Sequence, residues 1–219
     1  MGGITALLDE SITGVTLREH GPAPLDLSKI NFKELADRFQ KSAHKNTDLE
    51  TLKAAIRAQL AHLIELNPTR ADFAAKFEEL IDSYNNGSRN IEQIFDDLFK
   101  LSLGLSDEEQ RHVRESMSEE ELVIFDILTR PAPELSTEER AEVKKIAREL
   151  LKKMKGLLEL NWRTKTRARA KMRDAIESEL DAGLPRAYTP ELFNLKCNAV
   201  FEHVYDKYPE PGAGVYSVM

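Results

Sequence analysis

The chain has 219 residues, of which 41% are hydrophobic and 32% charged, and its formal net charge is -7. This balance predicts a soluble globular protein with a sizeable core, and it argues against a chain devoted wholly to nucleic acid. No apolar run is long enough to cross a membrane, no secretory signal opens the chain, and the single cysteine, Cys197, excludes an internal disulfide and favours a reducing cytoplasm.

Helix start signals recur along the chain. A hydroxyl side chain followed three residues later by an acid forms a capping box, which satisfies two backbone N–H groups at a helix start. Thr189 before Pro190 predicts a further start, since proline at the first helical position loses no hydrogen bond. The capping-box spacing occurs at Thr47 with Glu50, Thr69 with Asp72, Ser106 with Glu109, Ser118 with Glu121, and Ser136 with Glu139.

Apolar residues three and four positions apart predict a helix behind each start signal. Gly87 is the expected C-cap of one of these helices, and Pro131 and Pro133 predict a loop. In chain order, the predicted helices run from Leu49 to Ile64, Phe73 to Tyr84, Ile91 to Leu101, Asp107 to Glu115, Glu119 to about Leu128, Thr137 to about Leu158, through the basic segment 161–180, and from Glu191 to about Tyr208.

No convincing pair of strands accompanies these helices. The sequence therefore predicts an all-α fold, an irregular bundle of about seven or eight helices. We expect residues 1–30 to form an extended N-terminal arm or the end of a preceding domain, and residues 31–208 to form the helical domain. Residues 209–219 are expected to be a flexible tail, because they are too rich in proline and glycine to fold alone.

Catalytic and nucleotide-binding motifs are missing from the sequence. There is no Gly-Lys-Ser/Thr phosphate loop, and the five histidines lack the spacing of metal ligands. Cys197 and His203 fall on different faces of one predicted helix, which favours a buried, unreactive cysteine. Acidic pairs such as Glu78 with Glu79 are expected on solvated helix faces. The sequence thus predicts no catalytic residue and no metal site.

The segment NWRTKTRARAKMRDAIE, residues 161–177, is a basic island in this acidic chain. Removing its six cations would change the net charge from -7 to -13, since -7 minus 6 is -13. As a strand the segment would have too weak an apolar face to pack. The cations occupy every second position: Arg163, Lys165, Arg167, Arg169, Lys171 and Arg173.

A helical interpretation of this segment separates the cations into two edges. At 100° per residue, Arg163, Arg167 and Lys171 lie along one edge. Lys165, Arg169 and Arg173 lie along the other. The residues between the edges predict a buried apolar seam: Ala168, Met172, Ala175, Ile176 and Leu180.

The function of the basic segment stays open at this level. Trp162, the only tryptophan, would either anchor the segment in the core or stack at an interface. The cations would flank a packed helix for solubility, dock onto an acidic partner protein, or contact phosphates. Trp162 and the six cations are therefore the candidate partner- or DNA-binding residues.

Long phrases of the sequence resemble one known family. They are PLDLSKINFKELADRF, NPTRADFAAKFEELIDSYNNGS, LSDEEQRHVRESMSEEELVIFDILTRPAPELSTEERAEVKKIARELL and GLPRAYTPELFNLKCNAVFEHVYDKY. Together, from about Gly21 to Tyr208, they resemble the C-terminal helical region of the restriction (motor and endonuclease, R) subunit of type I restriction-modification enzymes.

The resemblance implies a place in a larger DNA-processing enzyme. In that family the complete subunit has a nuclease domain and two helicase-like motor domains, which use ATP and Mg to translocate double-stranded DNA before cleaving it. The C-terminal domain is expected to dock onto the methyltransferase core of modification and specificity subunits. This chain then looks like an excised, non-catalytic C-terminal fragment without a cofactor, its first residues ending the preceding motor domain. The alternative is a double-stranded DNA-binding module that guides duplex to the motor through the basic helix.

Overall fold

The computed structural model describes residues 31–131 and 133–218, and within them the protein is helical without a β-strand. The all-α prediction is confirmed. None of the helices in these residues is long and apolar enough to span a membrane. The described α-helices are α1 (Phe32–Lys41), α2 (Lys45–Leu66), α3 (Ala71–Asn85), α4 (Ile91–Glu109), α5 (Arg111–Arg114), α6 (Glu119–Thr129), α7 (Thr137–Leu157), α8 (Thr166–Gly183) and α9 (Pro190–Lys207), with 3-10 turns at Pro68–Arg70 and Val215–Val218.

Apolar side chains gather into two cores. The N-terminal core lies between α1, α2, α3 and α4 and includes a stacked pair, Phe39 and Phe95, whose ring centroids are 3.7 Å apart. The C-terminal core lies between α6, α7, α8 and α9 and also takes in Trp162 and Tyr216. Each core is built from the apolar stripes of its helices, as the 3.6-residue period requires.

Three of the predicted helix starts are confirmed. Ser118 and Ser136 form capping boxes at the starts of α6 and α7, and Thr189 caps α9 by accepting a hydrogen bond from the Leu192 N–H. The predicted C-cap at Gly87 is wrong by one residue: Asn86 is the C-cap of α3, and Gly87 follows it with a φ of +78° and an N–H that donates to the Tyr84 carbonyl at 3.0 Å. A left-handed conformation at this position suits glycine, which has no Cβ.

Three other predicted starts are wrong. Helix α2 begins at Lys45, so Thr47 already lies within it. Helix α3 has Arg70 as its N-cap, without a side-chain cap, and Asn67 caps the preceding 3-10 turn by accepting from the Thr69 N–H. Ser106 lies inside α4 and donates to the Ser102 carbonyl. In each case the chain already carries a helix or a better acceptor nearby, and a sequence spacing does not record this competition.

The set of helices also differs from the prediction in two places. Helix α1 is missing from the predicted set; the Asn31 side chain caps it, and it buries Leu35 and Phe39. The predicted separate helix from Asp107 to Glu115 is wrong, because α4 continues to Glu109 and leaves α5 as a single turn. Burial of Leu105 in the N-terminal core keeps α4 helical past the expected break.

Helix α6 lies at the centre of the fold. All seven residues from Leu122 to Leu128 are buried, so protein surrounds the helix on every side. Its last carbonyl groups are satisfied by other elements: the Lys196 ammonium donates to the Ile127 and Arg130 carbonyls at 2.8 Å each, and the Tyr188 hydroxyl donates to the Leu128 carbonyl at 3.1 Å. A cation at a helix C-terminus is favourable. Burial lowers the pKa of Lys196.

A buried ionic network joins the two cores. Arg70, 1% exposed, contacts Glu119 and lies 3.2 Å (Nε to Oε1) from Glu108. Arg111 contacts Asp126 and lies 3.1 Å (Nη1 to Oε1) from the same Glu108. The network therefore connects the 3-10 turn after α2, the end of α4, α5 and the central helix α6.

The segment after α9 also contacts both cores. Tyr216 is buried, and its hydroxyl donates to the carbonyl of Leu66, the last residue of α2. Its oxygen lies 3.5 Å from Nε2 of His203, whose pKa burial lowers to about 4. This part of the tail thus packs on the bundle rather than folding alone. Its predicted flexibility and the domain division stay predictions, and the predicted arm, residues 1–30, lies outside the described residues.

Helices α7 and α8 approach closely at Gly183. A Cβ added there would lie 2.8 Å from Ile146 Cγ1 and 3.0 Å from its Cδ1. We expect Gly183→Ala to destabilise the protein by about 1–2 kcal/mol, because the overpacked Ile146 must move. Gly156→Ala in α7 is the matched control: nothing lies within 4 Å of its added Cβ, and alanine in a helix gains up to about 1 kcal/mol over glycine. Urea unfolding measures both, and equal shifts would contradict the close approach.

Removing Arg70 tests the ionic network. Arg70→Ala leaves the carboxylates of Glu108 and Glu119 buried without this cation, and we expect a loss of about 3–5 kcal/mol in the free energy of unfolding. Arg114→Ala breaks an exposed pair with Asp107 and should cost less than about 1 kcal/mol. Chemical denaturation followed by circular dichroism compares the two variants. Similar losses would mean that the network does not hold the two cores together.

Candidate partner-binding surface

The basic segment divides into a turn and a helix. Helix α8 begins at Thr166, after its N-cap Lys165, so Arg163 lies outside it. The prediction that Arg163 shares a helical edge with Arg167 and Lys171 is therefore wrong. Asn161 has a φ of +57°, and this left-handed residue redirects the chain ahead of the helix.

Trp162 anchors the turn in the C-terminal core. Its side chain is fully buried, and its Nε1 donates to the Tyr208 carbonyl at 2.8 Å. The rings of Tyr205 and Phe201 meet its ring edge-on, with centroids 5.8 and 6.4 Å away. Trp162 therefore anchors the segment in the core and does not stack at an interface. Trp162 thus packs against the core-facing side of the Phe201 and Tyr205 rings.

The predicted apolar seam of α8 is confirmed. The buried positions of the helix are Ala168, Met172, Ala175, Ile176 and Leu180. They fix which side of α8 faces the core and therefore which cations remain at the surface.

Three arginines of the segment are held by neutral acceptors. The Arg163 guanidinium donates to the Asp206 carbonyl at 2.9 Å and lies over the Tyr205 ring. Arg169 donates to the Arg163 carbonyl at 2.6 Å. Arg173 donates to the Asn198 side-chain oxygen at 2.8 Å and lies over an aromatic ring of α9. These contacts fix the side chains without neutralising their charge.

The other three cations point to solvent. Lys165 lies 3.4 Å (Nζ to Oε1) from Glu159, in a pair whose two side chains are about half exposed. Arg167 and Lys171 are exposed, and neither has a partner among residues 31–131 and 133–218. Arginines elsewhere in the described chain mostly have carboxylate partners; those paired are Arg38, Arg70, Arg89, Arg111, Arg114, Arg130 and Arg148.

The charge order along α8 opposes its helix dipole. The helix starts without a side-chain cap and without an acid in its first turn. Cations occupy its first half, whereas Asp174, Glu177 and Asp181 lie exposed in the second half. The N-terminal end of a helix carries partial positive charge and favours anions. The dipole and the cations therefore add to one positive potential at this end of α8.

The reactive side chains of the neighbouring α9 residues are buried rather than exposed at this surface. Cys197 is buried, and burial raises the pKa of its thiol to about 11, so the thiol stays protonated near neutral pH. His203 is likewise buried. In the part of the chain that the structure describes, no group of three or more His, Cys, Asp or Glu is placed to hold a metal ion.

Sequence reasoning missed the α9 side of the surface. Asn198, Phe201 and Tyr205 contact arginines of the basic segment, which lies at least 25 residues earlier in the chain. Their only local signal is a spacing of three and four residues, next to the buried stripe of α9 rather than within it.

The chain matches one known protein family. The match is to the family described as type I restriction enzyme HindI endonuclease subunit-like, C-terminal, and it covers residues 17–208. No curated protein and no solved structure matches the chain. The matched range includes every described α-helix and the whole basic segment.

Replacing the tryptophan tests its role as an anchor. Trp162→Phe removes the hydrogen bond to the Tyr208 carbonyl and part of the buried ring, so we expect a loss of about 2 kcal/mol in the free energy of unfolding. Arg167→Gln changes an exposed, unpaired side chain and should shift stability by no more than about 0.5 kcal/mol. Thermal unfolding followed by circular dichroism compares the two. An unchanged Trp162→Phe variant would contradict the anchor role.

Proposed function

The chain belongs to the family of C-terminal domains of HindI-like type I restriction enzyme endonuclease subunits, and we propose that it is the assembly domain of such a subunit. In this role it docks the ATP-dependent DNA translocase and nuclease subunit onto the methyltransferase core of modification and specificity subunits. The domain itself contributes binding and positioning, and the catalytic chemistry belongs to other domains of the subunit.

One observation supports this proposal above the others. The basic segment keeps its charge: its four arginines have no carboxylate partner within the described ranges, although the protein as a whole is acidic. Arginines that serve stability alone gain from pairing with nearby acids, as most arginines elsewhere in this fold do. Fixed, unneutralised guanidinium groups are suited to an acidic partner that arrives from outside.

The support beneath the segment fits a docking role. Trp162 fixes the turn, and five buried side chains fix α8 between α7 and α9. Binding groups on rigid elements lose little conformational entropy when a partner binds. The surface therefore has the preorganisation that a stable subunit interface needs.

Duplex DNA is the second candidate partner. Arg167 and Lys171 are free, and the uncapped start of α8 adds partial positive charge beside them. Phosphates neutralised by such groups release counterions, which makes binding salt-dependent and independent of sequence. Only two of the exposed cations, Arg167 and Lys171, lack a partner in the described residues, and the acids of the second half of α8 follow them directly. A protein partner therefore remains the favoured proposal.

A competition experiment separates the two partners. This chain is titrated onto the immobilised modification–specificity core, with and without excess duplex, at low and moderate salt. We expect retention by the core that duplex does not displace. Any duplex binding should weaken about tenfold when Arg167→Gln and Lys171→Gln are combined, because two phosphate contacts are lost.

The matched control removes the same charge elsewhere. Lys145→Gln combined with Lys152→Gln takes two exposed cations from α7 and should leave both affinities unchanged. The docking proposal fails if the core does not retain this chain and an endonuclease subunit lacking the domain assembles normally. Displacement by duplex would instead favour the DNA-binding role.

A further inference from the structure

Arginines and aromatic rings alternate along the α8–α9 contact. Arg173 Cζ lies 4.2 Å from the ring centroid of Phe201, and Arg163 Cζ lies 5.3 Å from that of Tyr205. Arg173 is bonded to Asn198 of α9, and Arg163 to the backbone of Asp206, so the two helices run antiparallel and the pairs follow one another along them. We call Arg163, Arg173, Asn198, Phe201 and Tyr205 the arginine–aromatic surface.

This surface is held rigidly from below. Phe201 and Tyr205 contact each other at 6.2 Å between centroids, and both meet the buried Trp162 ring edge-on. Each guanidinium is fixed by a hydrogen bond and an aromatic face together. Tyrosine, tryptophan and arginine are the residues that most often carry binding energy at interfaces. Because these side chains are already held in place, they lose little conformational entropy when a partner binds.

The guanidinium groups retain unused binding capacity. Arg173 donates to an amide oxygen and Arg163 to a carbonyl, and each has further N–H groups. A carboxylate offers the planar, bidentate match for such groups and makes hydrogen bonds about twice as strong as neutral acceptors do.

Apolar exposure accompanies these cations. Tyr205 is 38% exposed and Leu195, three turns earlier on α9, is 57% exposed. Tyr205 adjoins the stacked arginines, so the surface combines an apolar contact with fixed positive charge. This is the composition expected at the centre of a protein interface.

Nucleic acid fits this surface less well than protein does. The guanidinium groups already lie over the faces of Phe201 and Tyr205, which removes those faces as stacking platforms for bases. Glu202 and Asp206 are exposed on the same helix and would repel a phosphate backbone. A protein partner can place single carboxylates at the arginines and avoid these two acids.

We infer that the arginine–aromatic surface is the docking site for an acidic protein segment, in which carboxylate side chains engage Arg163 and Arg173 and an apolar side chain covers Tyr205. The inference rests on the proposed function, because the partner that carries this segment is the methyltransferase core. It adds the surface and the chemistry of its occupant. The free end of α8, with Arg167 and Lys171, lies outside the contact.

Charge reversal at Arg173 is the central test. The affinity of this chain for the modification–specificity core is measured for the wild type, Arg173→Glu, Arg173→Lys and Arg140→Glu. We expect Arg173→Glu to weaken binding about 100-fold and Arg173→Lys about tenfold, because lysine keeps the charge but loses the planar, stacked fork. Arg140 is the matched control, since it also lies over a ring, Phe125, at 5.1 Å, and its reversal should change the affinity less than about twofold.

A photocrosslink identifies the occupant. p-Benzoylphenylalanine replaces Tyr205 in one variant and Val113, an exposed apolar residue of α5, in the other. We expect the core to crosslink at position 205 alone, to a peptide containing Asp or Glu. Reversing that acid to Arg should restore the binding of Arg173→Glu, which a merely unfolded variant would not allow.

The outcomes distinguish this inference from the proposed function. If the wild-type chain does not bind the core and an endonuclease subunit lacking the domain assembles normally, both fall. If it binds and Arg173→Glu binds equally well with the same circular dichroism spectrum, only the inference about the surface falls. If Arg173→Glu loses duplex binding but keeps core binding, the occupant is nucleic acid and the inference is overturned.

Discussion

The buried ionic network is the constraint on which the rest of this structure depends. Two guanidinium groups, of Arg70 and Arg111, lie among the carboxylates of Glu108, Glu119 and Asp126 at the junction of the two cores. Each member compensates for the desolvation of the others, so none is stable there alone. Because Glu119 and Asp126 lie on α6, the network fixes the central helix relative to α4 and the end of α2, and the helices of the C-terminal core pack around that helix.

A few hydrogen bonds fix the position of the surface helices relative to α6. Lys196 and Tyr188 bind the last carbonyl groups of α6, which fixes the register of α9 against the central helix. The far end of α9 then provides the Tyr208 carbonyl to Trp162, and Trp162 holds the turn before α8. Arg173 donates to Asn198 of α9, so the hydrogen bonds that hold α9 in the core also determine where its guanidinium lies. A surface built in this way is rigid although its outermost side chains are long.

The sequence predicts what depends on neighbours along the chain. The buried seam of α8 follows from a 3.6-residue period, and the caps at Ser118 and Ser136 depend on residues three positions away. The start of α8 was not predictable in this way. The chain is left-handed at Asn161 and buries Trp162, so the first part of the basic segment forms a turn and the helix begins only at Thr166. The arginine–aromatic contacts were equally out of reach, since they join segments that only the tertiary fold brings together. Membership of a family could be read from long phrases, but the geometry of the surface could not.

The placement of charge along α8 argues for an external partner. The helix has cations where its dipole is positive and acids where its dipole is negative, and both arrangements lower helix stability. Exchanging the two halves would favour the isolated domain, and nothing in the buried seam prevents it, because the seam uses other positions. In the proposed complex, carboxylates of the partner that meet the stacked Arg173 would compensate for this unfavourable order from outside the domain. A carboxylate-bearing protein offers such compensation at chosen points, whereas a polyanion would also meet the acids that follow. In the proposed complex, the electrostatic cost that the free domain bears would favour association with an acidic partner.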